Sequence, residues 1–347
     1  MALTNPSVGA AEPASQRRAP ILRLPPVVQH LIKDHLDLAD CSCVALASCL
    51  FRPLYKVDHT LQGAEQAGFL RRLEGDPSTG RLIYYCDGCN KLHSWGQDWS
   101  PTSTSEKASW VLDWKLDCSL RRFSHMFKPL NGTYSIAHHH IRLVMNAHHR
   151  GLECGLPVTQ LEGESRDRFG PVNVVVKTAA RISPSHELVL KRKYKFNCKR
   201  IDIADILEYG QRHDATICPH NTFVGGPLPG SCVIPWNTLR KQAPLQWSKE
   251  SACLSCLTEY RLYICSRSRH RRIYTVELSS YHILGEGRDS KDWKWASITG
   301  TDGEDGSGRR QRKQWNKRVK KTVRDVWRES GLAERPASEE NNSEAGR

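Results

Sequence analysis

The chain has 347 residues, 39% hydrophobic and 25% charged, enough for one large or two modest domains with an ordinary buried core. Nowhere do about eighteen apolar residues run together, so the sequence predicts no membrane-spanning helix, and its net charge of +14 permits attraction to nucleic acid or acidic proteins without dictating a fold. Thirteen cysteines are an odd count in a chain too long for a disulfide-stapled scaffold, so a reducing cytoplasmic or nuclear setting is expected, with cysteine pairs serving metal.

Residues 1–19, rich in Ala, Pro, Ser and Gly, read as a disordered leader without the apolar core of a secretory signal. The stretch Leu22 to Tyr55 follows, LRLPPVVQHLIKDHLDLADCSCVALASCLFRPLY. Pro25 suits the first turn of a helix, where a missing N–H costs nothing. Val28, Leu31, Ile32 and Leu36 fall on one side of that helix. Asp40 is the expected N-cap of a second helix. From Cys41 to Phe51 that helix carries no charge, so it must be covered on two sides, and one of those covers is expected to be a partner.

The order Leu-Pro, amphipathic helix, Leu-x-Asp, small-residue helix resembles the F-box. By position Leu24, Pro25, Val28, Leu31, Ile32, Leu36, Asp40, Val44 and Leu50 match the pattern, while Phe51 to Tyr55 depart from the basic residue and Trp usual at its end. The resemblance implies docking, through Leu24, Pro25, Val28, Leu31, Ile32, Leu36, Val44 and Leu50, onto the Skp-type adaptor of a cullin ubiquitin ligase. The remaining sequence would recruit a protein substrate that this chain does not spell out.

His59 to Gly75 reads as a helix with Leu61, Ala64, Phe69, Leu70 and Leu73 buried, and Asp76 to Gly80 as a turn. A strand-like run then enters Cys86-Asp87-Gly88-Cys89, where Gly88 is expected to let the backbone fold back so that two thiolates face one ion. Cys253 and Cys256 repeat the motif far downstream. The two pairs are expected to complete one four-thiolate structural zinc site, with His93 or the Cys218-Pro219-His220 triplet able to replace a member; the competing expectation is buried reduced thiols. Ser109 to Leu130 is strand-like, then helical. The clusters His138-His139-His140 and His148-His149 are read as part of a packed segment with Ile136, Ile141, Leu143 and Met145, because adjacent side chains diverge.

Two hairpins are predicted: residues 171–198 around Pro184, with Lys191, Lys193 and Lys195 on one face, and Thr258 to Gly285. Asp202 to Tyr209 is a short helix candidate and Cys218 to Pro235 a Pro/Gly-rich loop. The series YYCDGCNKLH, ICPH, CLSCLTEY and YHILGEGRDSKDWKW is similar to the C-terminal region of a group of fungal F-box proteins, which implies an F-box joined to a β-rich domain. Ser297 to Gly308 reads as a linker, and Arg309 to Arg328 as one helix with ten basic residues, one acidic residue and a Trp315/Val319/Val323/Val326/Trp327 stripe. Residues 331–347 read as a disordered tail.

The sequence carries no phosphate loop, dinucleotide fingerprint, H-E-x-x-H or G-x-S-x-G elbow, so no catalytic role is expected. The expected class is α+β: a leader over 1–19, an F-box-like helical module over 20–55, a β-rich mixed domain over 56–297 and a basic tail over 298–347. The alternative function is a zinc-stabilised nuclear protein that contacts nucleic acid through Arg309–Arg328.

Overall fold

The computed structural model describes residues 24–47, 52–55, 61–103, 134–169, 172–198, 208, 216–222, 246–268, 273–300 and 307–332. The leader, Leu50, the stretch Ser109–Leu130, nearly all of the helix expected over Asp202–Tyr209 and residues 333–347 lie outside these. The chain divides into two compact units, Met1–Leu73 and Glu74–Arg347, a boundary further along than the one expected at Tyr55. The mixed α+β class holds. No helix of the described residues is long and apolar enough to cross a membrane.

In the first unit α1 spans Pro26–His35, with Pro25 at its N-cap and Pro26 in its first turn. The second helix, α2 (Leu38–Ala47), is capped by Asp37 rather than Asp40, because Asp37 Oδ1 accepts the Asp40 N–H at 2.7 Å. The helix therefore begins one turn earlier than Asp40 suggested. Tyr55, at the end of α3 (Arg52–Tyr55), is fully buried beside Cys41, with Leu36, Val44 and Ala45 packed around them. Its hydroxyl donates to the Gln29 carbonyl at 3.2 Å. Arg72 of α4 (Gly63–Gly75) reaches Asp37 at 2.7 Å and Asp40 at 2.6 Å. These half-exposed pairs contribute little on their own.

The second unit is built on a six-stranded antiparallel sheet of order β3-β4-β5-β10-β9-β8. Both expected hairpins form: β4 (Val172–Ile182) with β5 (Leu188–Cys198), and β9 (Thr258–Ser268) with β10 (Ile273–Gly285). They join through β5 and β10, where Tyr194 lies opposite Leu278. The edges are β3 (Gly163–Phe169) and β8 (Gln246–Ala252), two polar strands that the hydrophobic pattern did not mark. Charge on an edge strand discourages pairing with a second chain.

At one end the sheet is covered on both faces. Leu188, Leu190, Ala180 and Leu284 join a core with Ile136, Ile141 and Leu143. Val189 and Ile283 point the other way, beneath Trp315, Val323, Val326 and Trp327. The first cover is α5 (His138–Arg150), whose residues His139 to Ala147 are all buried, so it is a central helix rather than one with a single packed face. The second is the segment expected as one basic helix. It is two, α7 (Ser307–Val319) and α8 (Val323–Leu332), broken at Lys320 with φ 54°. Before them α6 (Trp293–Thr299) occupies the start of the expected linker and closes on Gly300 in the left-handed region, where a β-branched residue would be strained.

The basic face of β5 is largely engaged. Lys193 pairs with Glu277 at 2.8 Å, and Lys191 lies 5.5 Å from the Tyr281 ring centroid and 5.9 Å from that of Trp327. Arg192 points inward, fully buried, 5.2 Å over the Tyr134 ring and donating to the Tyr194 hydroxyl at 3.2 Å.

Gly155 tests the packing of α5. A Cβ there would stand 1.9 Å from the Leu143 carbonyl oxygen and 2.8 Å from the Ala147 nitrogen, both main-chain atoms of that helix. Gly155→Ala should therefore cost about 1–3 kcal/mol, the usual penalty of forcing atoms into a filled site. Urea unfolding would read this as a lower midpoint at unchanged slope; an unshifted midpoint would mean the approach is looser than described.

Candidate metal centre

Among the described residues, three His/Cys groups bring ligand atoms within 4.8 Å of one another: Cys218, His220, Cys253 and Cys256; Cys86, Cys89 and His93; and His148, His149 and His186. The two C-x-x-C pairs thus belong to separate groups and do not build the single four-thiolate site expected from the sequence. Each recruits its own histidine instead. Spacing could identify the knuckles, but their partners are chosen by the strand topology.

The first group is the fuller. Cys253 directly follows β8 and Cys256 precedes β9, and the loop is tied by main-chain bonds from Cys253 N to Thr258 O at 2.9 Å and from Thr258 N to Cys256 O at 2.8 Å. The amides of Ser255 and Cys256 point at the Cys253 sulfur, 3.3 and 3.5 Å away, a turn that stabilises a thiolate. The other two ligands come from the bend between β6 (Thr216–Cys218) and β7 (Asn221–Thr222). Cys218, Cys253 and Cys256 are buried, and the buried His220 Nδ1 has no hydrogen-bond partner among the described residues. Pro219 of this bend lies 3.2 Å from where a Cβ on Gly300 would be, so the α6 terminus backs the loop.

The three thiols are pushed in different directions. Burial pushes Cys218 and Cys256 up, whereas hydrogen bonds from Cys218, Cys256 and His220 pull Cys253 far down. A divalent cation would favour the thiolate form of all three. Tetrahedral ligation at sulfur distances of about 2.3 Å puts ligand atoms about 3.8 Å apart. A group already within 4.8 Å needs only a small contraction. Three sulfurs and one imidazole would fill all four positions, the closed arrangement of a structural rather than a catalytic centre.

Behind Cys256 runs a buried relay: Cys256 Sγ to Thr258 Oγ1 at 3.2 Å, Thr258 Oγ1 to His282 Nδ1 at 3.0 Å, and His282 Nε2 to Ser280 Oγ at 2.9 Å. Burial, with Arg192 adding to it, pushes His282 down to about 3, so the ring is neutral at ordinary pH. A neutral ring has one donor and one acceptor nitrogen. With Cys256 as a thiolate, each group in the relay can donate toward the sulfur, from Ser280 to His282 to Thr258. Arg312 of α7, also buried, donates to the Cys256 carbonyl and lies 3.7 Å from Glu259. Sequence reasoning missed it because it sits in a run of cations; burial against one particular carbonyl separates it from them.

The second group lies on the hairpin of β1 (Ile83–Cys86) and β2 (Lys91–Ser94). The positive φ in its turn is at Asn90, 53°, and not at Gly88, so Asn90 supplies the reversal assigned to the glycine. The Cys89 sulfur is 3.0 Å from His93 Nε2. The third group is exposed, with His148 Nε2 2.8 Å from His186 Nδ1. Of the consecutive histidines 138–140, His138 turns away to face Asp87 at 3.6 Å, but His139 and His140 do not diverge as expected: their ring centroids are 4.2 Å apart, with His139 also against Tyr84 and Trp99 and His140 Nδ1 accepting the Ala137 N–H at 3.0 Å.

Of the residues expected to bind a partner, Val28 and Leu31 are 37% and 54% exposed, and Pro25 is exposed. Leu24 and Ile32 are half-buried, while Leu36 and Val44 pack on Cys41 and Tyr55 inside their own unit. No family model, curated protein or solved structure matches the chain.

Proposed function

We propose that the chain is a substrate-recruiting F-box adaptor of a cullin-type ubiquitin ligase. On this reading the first unit docks on the Skp-type protein, and the second unit, clamped by zinc at Cys218, His220, Cys253 and Cys256, holds the target. The observation that carries the reading is the exposure of large apolar side chains on α1 and α2: Val27 at 71%, Val28 at 37% and Leu31 at 54%, neighbours on α1 by helical spacing, and Leu46 at 55% on α2. Apolar side chains grouped on the surface of a small unit mark an interaction site. Helical apolar anchors in a partner's groove are a recurring mode of recognition. The role is positional: tethering raises the local concentration of the target beside the ligase.

The test is a pull-down of the full chain with the Skp-type adaptor, comparing wild type with Val28→Asp/Leu31→Asp. Both side chains are exposed, so the double variant should fold normally, yet lose adaptor binding by at least about tenfold, the equivalent of about 1.4 kcal/mol. Equal capture of both proteins would sink this docking face.

A second reading, nucleic-acid contact, draws on the outward face of α7. Arg309, Arg310, Lys313, Lys317 and Arg318 lie along it, and a cleft of about 570 Å³ is lined by Trp293, Trp315, Arg310 and Arg318. Cations interleaved with aromatics suit phosphates and stacked bases. This reading predicts binding of single-stranded oligonucleotides that weakens steeply with salt.

A further inference from the structure

We infer that the β1–β2 hairpin is a second, independent metal centre, with Cys86, Cys89 and His93 as three ligands and His138 Nε2 as the fourth. Cys86, Cys89 and His93 offer ligand atoms within 4.8 Å of one another, two sulfurs and one imidazole nitrogen. Such a set is soft enough for Zn2+ and lacks one ligand of a closed tetrahedron.

His138 has the features of that missing ligand. It opens α5, which packs against β1. Its Nε2 is buried and has no hydrogen-bond partner among the described residues, a costly condition for a polar atom unless something else binds there. Its other nitrogen, Nδ1, lies 3.6 Å from Asp87 Oδ1. Asp87 sits between the two knuckle cysteines, and its Oδ2 accepts the Ser290 N–H at 2.8 Å and the Ser290 hydroxyl. At 3.6 Å the Asp87–His138 approach is an ion-pair distance rather than a hydrogen bond; a small shift that shortened it would fix the tautomer that leaves the Nε2 lone pair available, the carboxylate–histidine–metal arrangement of many zinc sites. Burial pushes His138 down from its ordinary value, against the pull of Asp87. His138 stands outside the 4.8 Å group, so closure around an ion draws the ring toward the two sulfurs.

This site does not depend on the adaptor reading. The full chain loaded with Zn2+ should hold two equivalents, one at each centre. Cys253→Ser removes the first and leaves one; His138→Ala removes the second and leaves one. With Co2+ the wild type should give a visible spectrum that sums two centres, one with three sulfurs and one nitrogen, the other with two of each. His138→Ala should lose the part that comes from the two-sulfur centre. Asp87→Asn, at a positioning residue, should keep two equivalents while weakening the second by roughly 10- to 100-fold. If His138→Ala does not fold, His138→Cys decides: it should hold two equivalents, with the two-sulfur bands replaced by three-sulfur bands. One equivalent in wild type, or two in His138→Ala with the wild-type Co2+ spectrum, or an unchanged spectrum in His138→Cys, overturns the assignment.

Discussion

Replacing Cys256 by Ser should remove the Cys218/His220/Cys253/Cys256 metal and abolish the cooperative unfolding transition of the second unit. Structural zinc in small domains contributes apparent binding energies of about 10–16 kcal/mol. Whole domains are stable by only about 5–15 kcal/mol. Losing even half of the metal term therefore removes most of the margin. The β6–β7 bend is a two-stranded ribbon separate from the large sheet, and two of the four ligands sit on it while the other two lead into β9. An ion there would tie the ribbon to the sheet. Arg312 would lose its fixed acceptor at the Cys256 carbonyl as the knuckle loosens, and with it the anchor of α7. Thermal melts followed by near-ultraviolet circular dichroism, with metal content measured on the same samples, check this. A metal-free variant that melts where wild type does would show that the cysteines are simply buried thiols.

Glu74→Ala should destabilise the second unit by about 3–5 kcal/mol, the cost of leaving one member of a buried ion pair unpartnered. Glu74 is only 1% exposed. Its Oε1 accepts from Arg142 Nε at 2.7 Å, Asn146 Nδ2 at 2.9 Å and the Tyr85 amide at 3.1 Å, and its Oε2 accepts from Arg142 Nη2. Arg142 in turn donates to the Arg288 carbonyl at 2.8 Å and lies over the Tyr85 ring. One carboxylate therefore gathers α5, the β1 strand and the loop after β10. Glu74→Ala/Arg142→Met removes both charges and should lose clearly less than Glu74→Ala alone, because no charge is left stranded. Urea unfolding of the two single variants and the pair measures the coupling. Additive losses would mean that the pair is solvated rather than buried.

The elements whose pattern is local were legible in the sequence. Strands β4, β5, β9 and β10 alternate or run apolar between turn residues, so both hairpins stood out. The edge strands did not, since GESRDRF and QWSKESA carry charges that read as loop. The cysteine knuckles were visible as motifs, but which histidine each recruits depends on strand order, which spacing does not encode. Glu74 was hidden for a related reason: a carboxylate near a helix end reads as solvated until Arg142, far along the chain, arrives beside it. The basic segment was legible in part: the Trp315/Val319/Val323/Val326/Trp327 stripe stood out and packs on the sheet, but the break at Lys320 and the buried role of Arg312 were hidden among its charges.

The most direct test of the adaptor reading is a calorimetric titration of the intact, metal-loaded chain with purified Skp-type adaptor. The account predicts one-to-one binding with a negative heat-capacity change, the mark of apolar surface leaving water, and its loss in Val28→Asp/Leu31→Asp. No heat and no complex with a chain that unfolds cooperatively would contradict it, and would leave the apolar residues of α1 and α2 without the partner assigned to them.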